Sequence, residues 1–108
     1  MVTQAGDPLA ALSSPRRREI LRLVWSEERS AGDIARGFDV SWPAISQNLR
    51  VLKESGLVRE RRAGTSRLYR ADRRSLRPLE SYLRRMWERD VDRLRLLAEA
   101  EERKRSKR

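Results

Sequence analysis

Apolar residues recur along this chain in short blocks, and most blocks are preceded by a residue that suits a helix start. Asp7-Pro8 leads into Leu9 and Leu12, and Ser14-Pro15 leads into Ile20, Leu21, Val24 and Trp25. A side-chain oxygen just before a helix accepts from backbone N–H groups that have no intrahelical partner. Proline is harmless in the first turn because its missing N–H would be unpaired anyway. Both stretches are therefore predicted as helices, the first one short. Ser30, with Asp33 three residues on as a shortened capping box, opens a third helix whose apolar side holds Ile34, Ala35 and Phe38 and which ends near Gly37.

After a brief turn through Asp39 and Val40, Ser41 caps a fourth helix. Its residues Ile45, Leu49 and Leu52 fall on one face, Pro43 sits in its first turn, and Gly56 stops it. Two helices joined by a tight turn, the second amphipathic, predict a helix-turn-helix. The period then changes. Leu57 to Arg62 and Ser66 to Ala71 read as strands, joined through Ala63-Gly64-Thr65 into a hairpin.

From Asp72 onward the helical period returns, with Leu76, Leu79, Leu83, Trp87, Val91, Leu94 and Ala98 at steps of three or four. A single last helix of close to 30 residues would be roughly 45 Å long at about 1.5 Å per residue. A body this small cannot cover such a stripe, so part of it is expected to meet a second copy of the chain. The expected organisation is one domain over residues 7–102, a disordered start over 1–6 and a basic flexible tail over 103–108.

Composition narrows the function. At 108 residues and 38% hydrophobic content the chain supports one modest core. The formal charge of +10 favours a polyanion as partner, yet 23 of the 26 basic residues are arginine, a bias that codon usage in a GC-rich genome also produces. Position is more informative than total. Between Arg59 and Arg70 the hairpin carries five arginines and a single acid, Glu60; the alternative reading is a solvated edge protected by charge. Cys and His are both absent, which removes disulfides, thiolate and imidazole metal ligands, and the commonest catalytic base and thiol nucleophile. No enzyme and no cofactor are expected. The start of the chain lacks a targeting pattern and no apolar run approaches a membrane span, so a soluble, cytoplasmic protein is expected.

Three strings carry a resemblance to a known family. Ala11-Leu12-Ser13-Ser14-Pro15-Arg16-Arg17-Arg18-Glu19-Ile20-Leu21 resembles the opening of the ArsR/SmtB winged-helix repressors. Ser41 through Val58, with Leu52-Lys53-Glu54-Ser55-Gly56-Leu57-Val58 at its end, is similar to their recognition helix and the start of their wing. Gly64 and Tyr69 match the wing's glycine and closing tyrosine. The resemblance covers about Leu9 to Ala98 and implies a mainly α, winged-helix (α+β) fold of about five helices with a two-stranded antiparallel β-hairpin wing.

It further implies a homodimeric transcription regulator that binds double-stranded DNA, with the fourth helix in the major groove. Ser41, Trp42, Pro43, Ala44, Ser46, Gln47, Arg50 and Lys53 are the candidate contacts on that helix. An amide such as Gln47 can pair two-point with adenine and a guanidinium such as Arg50 with guanine, while Lys53 suits phosphate. Arg61, Arg62, Thr65 and Arg67 are the candidates on the wing for phosphate or the minor groove. The rival reading is a winged-helix module that meets a protein.

Family members pair through their first and last helices, which here selects Leu9, Leu12, Leu79, Leu83, Met86, Trp87, Val91 and Leu94. The chain departs from metal-sensing relatives at Ala31 through Gly37, where they carry a Cys-containing motif, and it has Asn48 where many relatives have His. No metal site is expected, and the sequence displays no site for a small-molecule or protein effector.

Overall fold

In the computed structural model, which describes residues 6–106, each of the first four helices begins at the cap that the sequence marks. Asp7 accepts from Leu9 N at the start of α1 (Pro8–Ala11), and Ser14 from Arg17 N at the start of α2 (Pro15–Leu23). Ser30 accepts from Asp33 N before α3 (Ala31–Arg36), and Ser41 from Ala44 N before α4 (Trp42–Glu54). The shortened capping box does not close. Asp33 turns its carboxylate to Arg36 at 2.6 Å instead of back toward Ser30, because its side chain is too short to reach the cap's own N–H.

Helix α4 ends as its glycine predicts. Gly56 takes φ +76°, Gly56 N donates to Lys53 O at 3.0 Å and Leu57 N donates to Leu52 O at 2.9 Å. These are the two bonds of a Schellman motif, which satisfy carbonyls the helix leaves open and drop Leu57 into the core. The hairpin follows as β2 (Val58–Ala63) and β3 (Ser66–Ala71), paired antiparallel from Val58–Ala71 to Ala63–Ser66. The connection is shorter than the expected three residues. Ala63 completes the last pair, and Gly64 (φ +62°) with Thr65 forms a two-residue turn whose backbone suits the strand twist.

A third strand went unforeseen. β1 (Arg29–Ser30) pairs with β3, giving a sheet of order β1-β3-β2. Two residues are too few to show an alternation of their own, and they join the sheet because the turn from α2 into α3 runs alongside β3.

The expected single last helix is replaced by four pieces. They are α5 (Arg73–Leu76), a 3-10 turn (Arg77–Leu79), α6 (Glu80–Glu88) and α7 (Val91–Ser106). Pro78 lies in the 3-10 turn, where a continuing α-helix would need the N–H it lacks. Asp90 separates α6 from α7 with φ +51°, a left-handed conformation that Asp tolerates better than most residues. With the helix redirected there, α7 lies along α2 and presents Asp92, Leu96, Ala100 and Arg103 inward. Val91, Leu94 and Ala98, read as part of the apolar stripe, face outward instead. The helix also continues through Arg103, Lys104 and Arg105, beyond the apolar pattern, and Arg103 Nη2 reaches Asp39 O at 2.8 Å. The expected disordered start lies outside the described residues apart from Gly6.

One core joins these elements. Ile20, Leu21 and Val24 of α2, Ile34 of α3, Ile45, Leu49 and Leu52 of α4, Leu57, Leu76 and Leu83 are all buried. Trp25 and Trp87 meet edge to face at 5.1 Å between ring centres, and the Arg73 guanidinium lies 4.7 Å over the Trp25 ring. Beneath this core Arg18 forms a buried two-point ion pair with Asp92, with both bonds at 2.7 Å, and donates to Leu12 O at 2.6 Å. Asp92 raises the pKa of the Arg18 guanidinium through these hydrogen bonds. The pair anchors the first turn of α7 to α2.

Candidate nucleic-acid interface

The faces of α4 are divided by its own periodicity. Burying Ile45, Leu49 and Leu52 leaves Trp42, Pro43, Ser46, Gln47, Arg50 and Lys53 exposed, with Ser41 exposed at the cap and Ala44 half-buried. Gln47 and Arg50 have no side-chain hydrogen-bond or ionic partner among the described residues, so their donors and acceptors are open to solvent or to base edges. Asn48 is differently placed. Its amide donates to Ala44 O at 2.8 Å and accepts from Arg17 Nη1 at 3.3 Å, while Arg17 Nε holds Ala11 O at 2.6 Å. Partial burial lowers the Arg17 pKa. Arg17 therefore ties the end of α1 to α4, and Asn48 takes part in that tie.

The hairpin stands beside α4. Between them lies a cleft of about 500 Å³ lined by Trp42, Ser46, Thr65, Ser66, Arg67 and, from the start of α3, Ser30. It gathers the hydroxyls of Ser30, Ser46, Thr65 and Ser66 along a path that a phosphodiester strand could follow, with Arg67 and Tyr69 also on its wall. Ser30 and Ser66 escaped the sequence reading because each is a common polar residue, one a helix cap and the other a strand start. The pairing of β1 with β3, which sets Ser30 opposite Leu68, brings them together beside α4.

The predicted wing cations do not share one situation. Arg62 and Thr65 are exposed near the tip, and Arg62 has no ionic partner among the described residues. Arg61 is held two-point by Glu28, at 3.0 and 2.6 Å, and Arg67 and Lys53 meet at Glu60 Oε1, at 3.4 and 3.1 Å. The hydrogen bond from Arg61 keeps the Glu28 carboxyl below its ordinary range. That from Tyr69, reinforced by Lys53, does the same for Glu60. Burial and the Glu60 carboxylate push the Tyr69 phenol up to about 12. The single acid of the hairpin was the sequence signal for this arrangement.

The predicted pairing residues also separate. Leu12, Leu83 and Trp87 belong to the core of a single chain, Trp87 donating its indole N–H to Arg18 O at 3.1 Å. Leu79 and Met86 are half-buried, while Leu9, Val91 and Leu94 are exposed, Leu9 and Leu94 by 69% and 65%. Leu97, outside the predicted set, is exposed as well. Among the described residues no group of three or more acidic side chains is gathered closely enough to hold a metal ion, and no helix is long and apolar enough to cross a membrane.

Comparison with known proteins agrees with this geometry. The profile of the arsR family of bacterial regulatory proteins matches residues 14–60, from the cap of α2 into β2. The chain is 42% identical over 79 residues to the HTH-type transcriptional regulator Rv2034 of Mycobacterium tuberculosis, covering 73% of this chain and 74% of that one. It is 43% identical over 54 residues to the transcriptional repressor SdpR of Bacillus subtilis, covering 50% and 60%.

Among solved structures, a possible transcriptional regulator for arsenical resistance superposes with a TM-score of 0.64 at 38% identity, covering 86% of this chain and 94% of that one. The homodimeric winged helix-turn-helix DNA-binding domain of Mb0332 from Mycobacterium bovis gives 0.64 at 32% identity, covering 76% of each. With its capped recognition helix, its wing and these relatives, the chain is a non-enzymatic, DNA-binding transcriptional regulator of the ArsR family.

Proposed function

We propose that the chain is a cytoplasmic homodimeric repressor that occupies an inverted-repeat operator. The observation that carries this reading is the exposed face of α4, where Gln47 and Arg50, without side-chain partners among the described residues, stand beside the cleft that Ser46, Thr65 and Ser66 line. Gln47 and Arg50 suit base edges in the major groove, and Arg62 and Thr65 at the wing tip suit the flanking backbone. Repression is supported by SdpR, which is named a repressor. Pairing is supported by the homodimeric Mb0332 domain and by the apolar Leu9, Val91, Leu94 and Leu97 that a lone chain leaves in water. A two-fold dimer carries two α4 helices, so its half-sites lie about one helical turn apart or somewhat more.

Gel-shift titration against fragments of the chain's own upstream region tests the reading. Arg50→Ala is expected to cost about 1–3 kcal/mol and to relax one operator position, while Arg62→Ala weakens all sequences more evenly. Equal binding by the parent and Arg50→Ala on every fragment would place the recognition surface elsewhere, as on a protein-interaction module.

A further inference from the structure

The basic hairpin is less free than its composition suggests. Arg59 pairs with Asp72 at 3.2 Å, Arg61 with Glu28, Arg67 with Glu60, and Arg70 donates to Ser26 O at 3.4 Å. Glu60 has the most partners. It takes Lys53 from α4 and Arg67 from β3 on one oxygen, and the Tyr69 hydroxyl at 2.7 Å on the other. Its side chain is only 17% exposed, at the edge of a polar hollow of about 270 Å³ between α4 and the hairpin.

A carboxylate there offers Lys53 and Arg67 the same kind of acceptor as a DNA phosphate. Glu60 is already oriented by Tyr69 and partly shielded from water, so these bonds form without ordering a second molecule. Glu28 does the same for Arg61 with a two-point bond.

We propose that Glu60, with Glu28 as a second such group, withholds Lys53, Arg67 and Arg61 from the DNA backbone. The sequence-independent part of binding then rests on fewer cations than the charge of +10 implies. A larger share of the affinity is left to the base-facing Gln47 and Arg50. The inference rests on the DNA-binding reading above, and it concerns how many phosphates the bound protein neutralises.

Fluorescence anisotropy of the full chain on a labelled duplex of arbitrary sequence, followed from about 50 to 200 mM salt, counts those phosphates through the slope of log K against log salt. Glu60→Gln keeps an amide oxygen for the Tyr69 hydroxyl and removes only the charge. It is expected to bind more tightly at low salt and to steepen the slope by about 0.9 per released cation, about 1.8 in all. Its advantage over the parent then shrinks about 12-fold across that range. Glu28→Gln steepens the slope by about 0.9. Tyr69→Phe, which alters no charge, keeps the parental slope.

A folded Glu60→Gln protein with the parental slope overturns the proposal; should circular dichroism show that variant unfolded, the Glu28→Gln slope decides in the same way. No binding of the parent chain to the duplex at the lowest salt overturns the DNA-binding reading itself, and so tells the two failures apart.

Discussion

Replacing Asp92 by alanine removes one half of the ion pair that seats α7 on α2. Arg18 is 5% exposed and Asp92 2%, and the guanidinium makes two bonds to the carboxylate and one to Leu12 O. Without Asp92 a positive charge stays buried with a single carbonyl for company. Breaking such a pair from one side costs about 3–5 kcal/mol, which is a large part of the roughly 5–15 kcal/mol that holds a small domain folded. At about 1.5 kcal/mol per molar urea, the midpoint should fall by about 2–3 M.

Tryptophan emission reports the transition directly, since the Trp87 indole bonds Arg18 O and packs against Trp25. Protein concentration must be held constant, because any pairing of chains adds to the apparent stability. The double replacement Arg18→Leu with Asp92→Leu removes both desolvation costs, and is expected to regain more than half of the loss. A loss below about 1 kcal/mol for Asp92→Ala, or a double variant whose loss equals the sum of the two singles, would refute the assignment of these groups as a coupled buried pair.

Leu94→Glu places a charge on the outward face of α7 while leaving the core of a single chain untouched; under the proposed pairing, sedimentation should shift from about twice the chain mass toward the monomer with little change in helix content. A dimer as tight as the parent's would exclude that face from the interface. Gly56→Ala forces a Cβ into the left-handed region that closes α4 and should cost about 1–2 kcal/mol in urea unfolding; an unchanged midpoint would mean the turn adopts another form.

The Glu28, Glu60 and Glu80 carboxyls are held below their ordinary value of 4.5 by bonds from Arg61, Tyr69 and Arg84 respectively. Folding therefore favours their charged forms. The associated stability is present above pH 4.5 and is lost as pH falls through the lower folded-state values. Urea midpoints that stay flat from pH 5 to about pH 2 would contradict these pairings.

What the sequence determined by itself is the set of features whose cause lies within a few residues. Asp7, Ser14, Ser30 and Ser41 cap their helices because a cap acts on an N–H two or three positions ahead. Gly56 and Gly64 end and turn the chain because positive φ is a property of the residue, and Ile45, Leu49 and Leu52 face inward because one helix repeats every 3.6 residues. From these came the helix-turn-helix, the wing and the exposed face of α4.

The tertiary structure decided what joins residues far apart in the chain. β1 exists only because β3 lies beside it, and α7 leaves the line of α6 at Asp90 to bring Asp92 to Arg18, 74 positions away. The ion-pair partners of Arg61 and Arg67 are likewise Glu28, 33 positions away, and Glu60 on the facing strand. The amino-acid sequence records that these groups are charged. Whether a charge is available to DNA or is neutralised within the protein depends on which carboxylate the fold brings to within about 3 Å of it, and periodicity carries no information about that distance.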